Sequence, residues 1–164
     1  MAHGVVGPNI AQWSGQAWSA LGAGVDGPVT ALAATTRDLY VGGSFRTAGG
    51  VQVNGFARWT DRVWDPMGGS NSVRYGAGAI VSAEDKVYVA DGYDGNGFTG
   101  PETFYTIKVW DGSRWASMAD LHMRSGPGCS DCASVLTDMI MHQGAIHVSG
   151  MQFGYAKNDF FESS

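Results

Sequence analysis

At 164 residues and 44% apolar composition, the chain is long enough to bury a sizeable core and too apolar for a disordered segment. Charged residues make up only 15%, the net charge is -5, and lysine occurs only at 86, 108 and 157, so no basic stripe exists to neutralise phosphates; this argues against nucleic acid as a partner and disfavours anionic membrane surfaces. No apolar run approaches the ~18 residues of a membrane span, residues 1–10 lack the pattern of a signal peptide, and 25 glycines suit short strands joined by tight turns.

The first element in chain order is Asn9-Ile-Ala-Gln-Trp13, a polar turn and a second tryptophan, Trp18. The unit returns as Gly55-Phe-Ala-Arg-Trp59 with Trp64, and as Thr106-Ile-Lys-Val-Trp110 with Trp115. Alternating residues on both sides of a four-residue turn predict a hairpin that sets the two tryptophans opposite each other. The strands of this hairpin are C and D. Between the tryptophan units lies a second hairpin, A and B, formed by 29–35 and Leu39-Tyr-Val-Gly-Gly-Ser-Phe45. Leu39-Tyr40-Val41 matches Val87-Tyr88-Val89 and Ile146-His147-Val148, and Thr30-Ala-Leu32 matches Gly78-Ala-Ile80 and Thr137-Asp-Met139.

The first tryptophans of successive pairs are 46 and then 51 residues apart, a period of propeller blades rather than of helical solenoids. The expected fold is therefore all-β: a β-propeller of four-stranded antiparallel blades in one region spanning 1–164. Strands C and D of a first blade fall in 9–21, full blades in 28–67 and 76–118, strands A and B of a last blade in 135–151, and 152–164 form a tail. That makes about three blade-equivalents, fewer than the four to eight a ring needs. The missing strands are expected from a longer parent chain or from a homo-oligomer that exchanges half blades.

Asn9-Ile-Ala-Gln-Trp13, Gly22 and Gly24 after Leu21, and Leu39-Tyr-Val-Gly-Gly-Ser-Phe45 with Thr47-Ala-Gly-Gly50 resemble the kelch-like β-propeller repeat of secreted and surface proteins, the kind found in bacterial surface proteins and in a fungal cortical cell-polarity marker. The resemblance covers nearly the whole chain. It is weaker in the second copy, where Ala90-Asp91 replaces the glycine pair, and poorest in the last, where Ser149-Gly150 precedes an unfamiliar tail. It implies an extracellular or cell-surface location.

In up-and-down blades the B to C and D to A connections share one face of the ring, and the long insertions here, 90–102 and 119–133, are of those two kinds. Function concentrates on such loops. In Asp91-Gly-Tyr-Asp-Gly-Asn-Gly-Phe98, the oxygens of Asp91, Asp94 and Asn96 are calcium candidates, beside the plainer reading of a Gly-Asn turn. Tyr93 and Phe98 are of the type that stacks on sugar rings, or that buttresses its own loop. The second insertion carries Asp120, His122, Arg124, Cys129 and Cys132. The cysteines read as a small disulfide or idle thiols; with His122 and either His142 or His147 they would make a zinc set, disfavoured because His147 aligns with Tyr40 and Tyr88 as an ordinary repeat position and His142 borders the Gln143-Gly144 turn at the opposite face.

No cofactor is expected beyond the calcium candidate, and no catalytic triad or carboxylate pair can be assembled from the sequence. The leading expectation is a non-catalytic binding or scaffold module that recognises a glycan or protein through its long-loop face. Its rivals are a fragment of a kelch-like oxidase or lyase, whose ligands would sit on missing blades, and a purely structural spacer repeat.

Overall fold

The computed structural model describes residues 8–68, 72–74, 76–93, 102–124 and 133–153, and among these every regular element is a strand. A leading hairpin, β1 (Ala11–Trp13) and β2 (Trp18–Ala20), precedes sheet 1, which orders β3 (Val29–Ala34), β4 (Leu39–Gly43), β7 (Phe56–Thr60) and β8 (Val63–Asp65). Sheet 2 orders β9 (Ala77–Ala83), β10 (Lys86–Tyr93), β11 (Glu102–Trp110) and β12 (Trp115–Arg124). A trailing hairpin follows, β13 (Ala133–His142) and β14 (Ala145–Phe153). All pairings are antiparallel between strands consecutive in the repeat, so the chain is an all-β meander.

One small hairpin was not expected: β5 (Thr47–Ala48) and β6 (Val51–Gln52) interrupt the connection from β4 to β7. Its turn is Gly49-Gly50, both at positive φ, the backbone that a two-residue hairpin loop needs. Gly49 has a second reason to lack a side chain, since a Cβ there would lie 2.5 Å from Cδ1 of Trp64.

Each tryptophan pair is in register across its hairpin: Trp13 opposite Trp18, Trp59 opposite Trp64, Trp110 opposite Trp115, with ring centroids 5.2 to 5.4 Å apart. The turns between them differ in construction. In the first, the Ser14 hydroxyl accepts from the backbone N–H of Gln16 and Ala17; in the third, the Asp111 carboxylate accepts from Ser113 and Arg114. These bonds, the one from Arg114 foremost, hold the Asp111 carboxyl well below the usual carboxylate range. The middle strands run one pair further, to Thr60 opposite Val63, leaving a two-residue turn, Asp61-Arg62, at positive φ.

The sheets stack face to face, and the core is divided among three interfaces. Leu21 and Val25 of the leading segment pack with Val41, Ala57 and Trp64 of sheet 1. Tyr40 and Phe56 on the far side of sheet 1 meet Ile80, Val89 and Trp115 of sheet 2, with Phe56 edge-on to Trp115. Tyr105 and Ile107 on the far side of sheet 2 meet Leu136 and Met139 of the trailing hairpin. Strand alternation produces this order, because each tryptophan pair projects toward the sheet before it and the intervening residues project toward the sheet after it.

A hydrogen bond repeats with the interfaces. The indole N–H of Trp64 donates to the carbonyl of Leu21, and that of Trp115 to the carbonyl of Met67, both at 3.0 Å. In each case the acceptor lies three residues beyond the second tryptophan of the preceding unit. A buried indole N–H needs such a partner, and taking it from the neighbouring sheet fixes how the two sheets sit.

Candidate functional site

When the repeats are superposed on their tryptophans, sheet 2 is longer than sheet 1 at one end. Asp91 corresponds to Gly43, where β4 stops, yet β10 continues to Tyr93; β11 begins five residues earlier than β7, and β12 runs to Arg124. The described parts of the insertions thus lengthen the strands of the sheet. The result is an overhang, on the side that carries the long connections.

Rungs on the overhang bring the sequence candidates together. Asp91, Thr106 and Asp120 are directly opposite one another across β10, β11 and β12, then Tyr93, Phe104 and His122, then Glu102 and Arg124. These are alternate rungs, so their positions share one face of the sheet, the same face as Trp110 and Trp115. A bulge at Met118 keeps β12 in phase, since Ile107 pairs with Ala119 but Lys108 pairs with Ser117. Asp91, Tyr93, Asp120, His122 and Arg124 are therefore gathered by register. Phe104, missed by sequence reasoning, completes the aromatic rung. Its signal was the alternation Phe104, Thr106, Lys108, Trp110, which runs back from the tryptophan.

Asp91 departs from expectation in its surroundings. It is buried rather than presented on a loop: the Lys108 ammonium lies 2.7 Å from its carboxylate, which also accepts from the backbone N–H of Arg74. Lys108 further donates to the carbonyl of Ser72. The pair ties the segment entering sheet 2 to the middle of that sheet as a structural brace. Asp120, by contrast, is exposed and accepts from the Thr106 hydroxyl at 2.9 Å. Asp94, Asn96, Phe98, Cys129 and Cys132 lie outside the described residues. His142 and His147 come together on the trailing hairpin, rings 5.9 Å apart. Among the described residues no group of three His, Cys, Asp or Glu is arranged to hold a metal ion.

On the opposite face of sheet 2 from these rungs, at Gly92 and Tyr105, is a cleft of about 360 Å³, whose lining also includes Thr30, Ser44, Gly78 and Thr137. Three of these residues, Thr30, Gly78 and Thr137, are the bulged positions of β3, β9 and β13, equivalent in the repeat. A bulge at the same place in every first strand turns backbone and hydroxyl groups toward a shared space. Tyr105 closes one wall. Its ring lies over Gly92, where a Cβ would be 2.3 Å from the ring, and its hydroxyl accepts from the Leu136 N–H at 2.9 Å.

A second charged cluster is also spent on structure. Arg58 bridges Asp65 and Asp38 within sheet 1, and the Tyr40 hydroxyl donates to Asp38 at 3.4 Å. Burial, then the Asp38 charge, raises the Tyr40 pKa above its ordinary value.

Comparison of the chain with protein families, with curated proteins and with solved structures finds no match. The class rests on the fold itself: an all-β protein of stacked, repeating antiparallel sheets, with a polar and aromatic overhang on one face of sheet 2 and a hydroxyl-lined cleft on the other. No helix among the described residues is long and apolar enough to cross a membrane.

Proposed function

We propose that the chain is a non-catalytic binding module, a set of kelch-like β-propeller blades from a secreted or surface protein, which recognises a glycan through the overhang of sheet 2. The observation that carries this reading is the register that gathers Tyr93, Phe104, His122, Asp120 and Arg124 on one face of sheet 2. Aromatic rings suit the apolar faces of a sugar, and carboxylate, imidazole and guanidinium groups suit its hydroxyls. Support for the propeller comes from the meander order, the four-stranded sheets and the interface that repeats with each tryptophan pair. The resemblance to secreted repeats supports the extracellular setting.

The braces favour binding over chemistry. Asp91 and Lys108 are buried and Arg58, Asp65 and Asp38 half-buried, and each is engaged by another side chain of the fold. No resident metal is part of the reading. The test is a glycan array probed with the folded chain, followed by titration of the hits. Tyr93→Ala and His122→Ala are each expected to weaken binding at least about tenfold, with Tm nearly unchanged. An array with no retained glycan, or binding indifferent to both variants, removes the glycan reading.

A further inference from the structure

Apart from Val51 and Val63, which lie in hairpins of sheet 1 and its connection, the large apolar side chains left exposed by the stack follow the repeat. Trp18 is 50% exposed, whereas its equivalents Trp64 and Trp115 are 9% and 5% exposed, and Trp13 is 51% exposed where its equivalents Trp59 and Trp110 are half-buried. Leu32 is 54% exposed, although Ile80 and Met139 at the same repeat position are 6% and 2% exposed. Ile140 and Val148 on the trailing hairpin are exposed too, as is Met118. Each of these residues occupies a place that elsewhere in the repeat is covered by a neighbouring sheet or strand.

The vacancies are complementary. Among the described residues the leading hairpin is a C and D pair with no A and B beside β1, and the trailing hairpin is an A and B pair with no C beside β14. A cleft of about 520 Å³, lined in part by Ala11, Gln12, Leu32, Leu39 and Trp59, occupies the space next to β1 where A and B would lie. We infer that the trailing hairpin of a second copy of this chain fills that cleft, so that β13 and β14 of one copy and β1 and β2 of the other make a single four-stranded sheet. The inference rests on the propeller reading for its copy number: three sheet-equivalents per chain become six in a closed pair, within the four to eight that rings use.

The repeat supplies the register. Leu39 pairs with Trp59 and Val41 with Ala57 in sheet 1, and Val87 pairs with Trp110 and Val89 with Lys108 in sheet 2. The composite sheet then sets Ile146 opposite Trp13, His147 opposite Gln12 and Val148 opposite Ala11. Its tryptophan pair faces sheet 2 of the copy that contributes β14. There the indole of Trp18 meets the carbonyl of Met118, three residues past Trp115, as Trp64 meets Leu21 and Trp115 meets Met67. On the other side Ile140 packs on Leu32, repeating the packing of Ala33 against the Ile80 cluster. The position nearest the following first strand is Gly42, Ala90 and then Ser149, small in all three units; a Cβ on Gly42 would stand 2.5 Å from that of Ala77. The contact is head to tail and needs two such interfaces to close.

Ala11→Cys and Val148→Cys are made separately, mixed, oxidised mildly and mapped by peptide mass. The expected product is a disulfide from position 11 of one variant to position 148 of the other, because paired strand residues fall within disulfide reach. Native mass spectrometry of the unmodified chain is expected to give twice 17.3 kDa. Trp18→Phe is expected to raise the dissociation constant about tenfold, the loss of one hydrogen bond, without altering the far-UV spectrum. A natively folded 17.3 kDa species at every concentration, an open-ended ladder of masses, or cross-links at other positions would overturn the inference. Glycan binding by the same sample is read separately: a pair that binds no glycan removes the function and leaves the assembly, and a glycan-binding single chain does the reverse.

Discussion

The two full sheets and the two end hairpins are built from the same repeat, yet they differ in how their apolar groups are treated. In the interior, Trp64 and Trp115 are buried and hydrogen-bonded to the sheet before them; at the leading end, Trp13 and Trp18 keep the same cross-strand geometry with about half of their surface bare. Pairing across the hairpin is therefore a local property of sequence and turn. Docking requires a neighbour. The comparison separates what one repeat can do alone from what only a stack can do, as expected where each unit contacts only its neighbours.

The largest contrast is expected at the brace in sheet 2. Lys108→Met leaves the Asp91 carboxylate buried without its counter-charge, and should lower unfolding free energy by about 3 to 5 kcal/mol, read from urea melts. Asp120→Ala, on an exposed rung two strands away, should shift stability by under about 0.5 kcal/mol. Parity between these two variants would show that sheet 2 is not held by the pair.

Next comes one repeat position compared at two places. Ile80→Ala should cost about 2 to 4 kcal/mol, as for a core aliphatic residue, while Leu32→Ala in dilute single chains should cost little. Chevron or equilibrium melts of both variants at low concentration provide the check. If Leu32→Ala is as damaging as Ile80→Ala, the first sheet already has a cover.

A finer contrast isolates the hydrogen bond. Trp64→Phe and Trp115→Phe keep most of the ring but orphan a carbonyl, at an expected cost of about 1 to 3 kcal/mol each; Trp18→Phe in the dilute single chain should be close to neutral. The smallest effect concerns acid. Backbone N–H groups, of Thr47 and then Arg46 for Asp26 and of Arg114 for Asp111, lower both carboxyls relative to the unfolded chain. Their stabilisation is complete above about pH 4 and is lost as pH falls through the folded values. Asp26→Asn should flatten the dependence of Tm on pH below about pH 4 by lowering Tm at neutrality, where the carboxylate is ionised, while leaving it nearly unchanged in acid.

Much of the fold was legible because its signals are local. Tryptophans five apart around a polar turn specify a hairpin and its register, and the apolar triplets 39–41, 87–89 and 146–148 mark the second strand of each unit. The hairpin at 47–52 is not legible, because Gly49-Gly50 reads as repeat signature as readily as a turn. Candidate site residues were legible as a set, through the length of the insertions, but their roles were not. Asp91 looks like a loop ligand in a run of Gly, Asp and Asn; only register reveals Lys108 diagonally across β11, and only tertiary folding brings the Arg74 N–H to it. The bulges at Thr30, Gly78 and Thr137 were equally hidden, since an extra residue in a strand leaves the apolar pattern almost intact.

The account turns on each tryptophan pair being docked on the sheet before it, and hydrogen exchange of the assigned indole N–H groups in D2O tests this most directly. At concentrations where the chain is single, the Trp64 and Trp115 signals should persist long after that of Trp18 has vanished, and Trp18 should gain protection only as concentration rises. Exchange of Trp64 and Trp115 as rapid as that of Trp18 in a folded sample would contradict it.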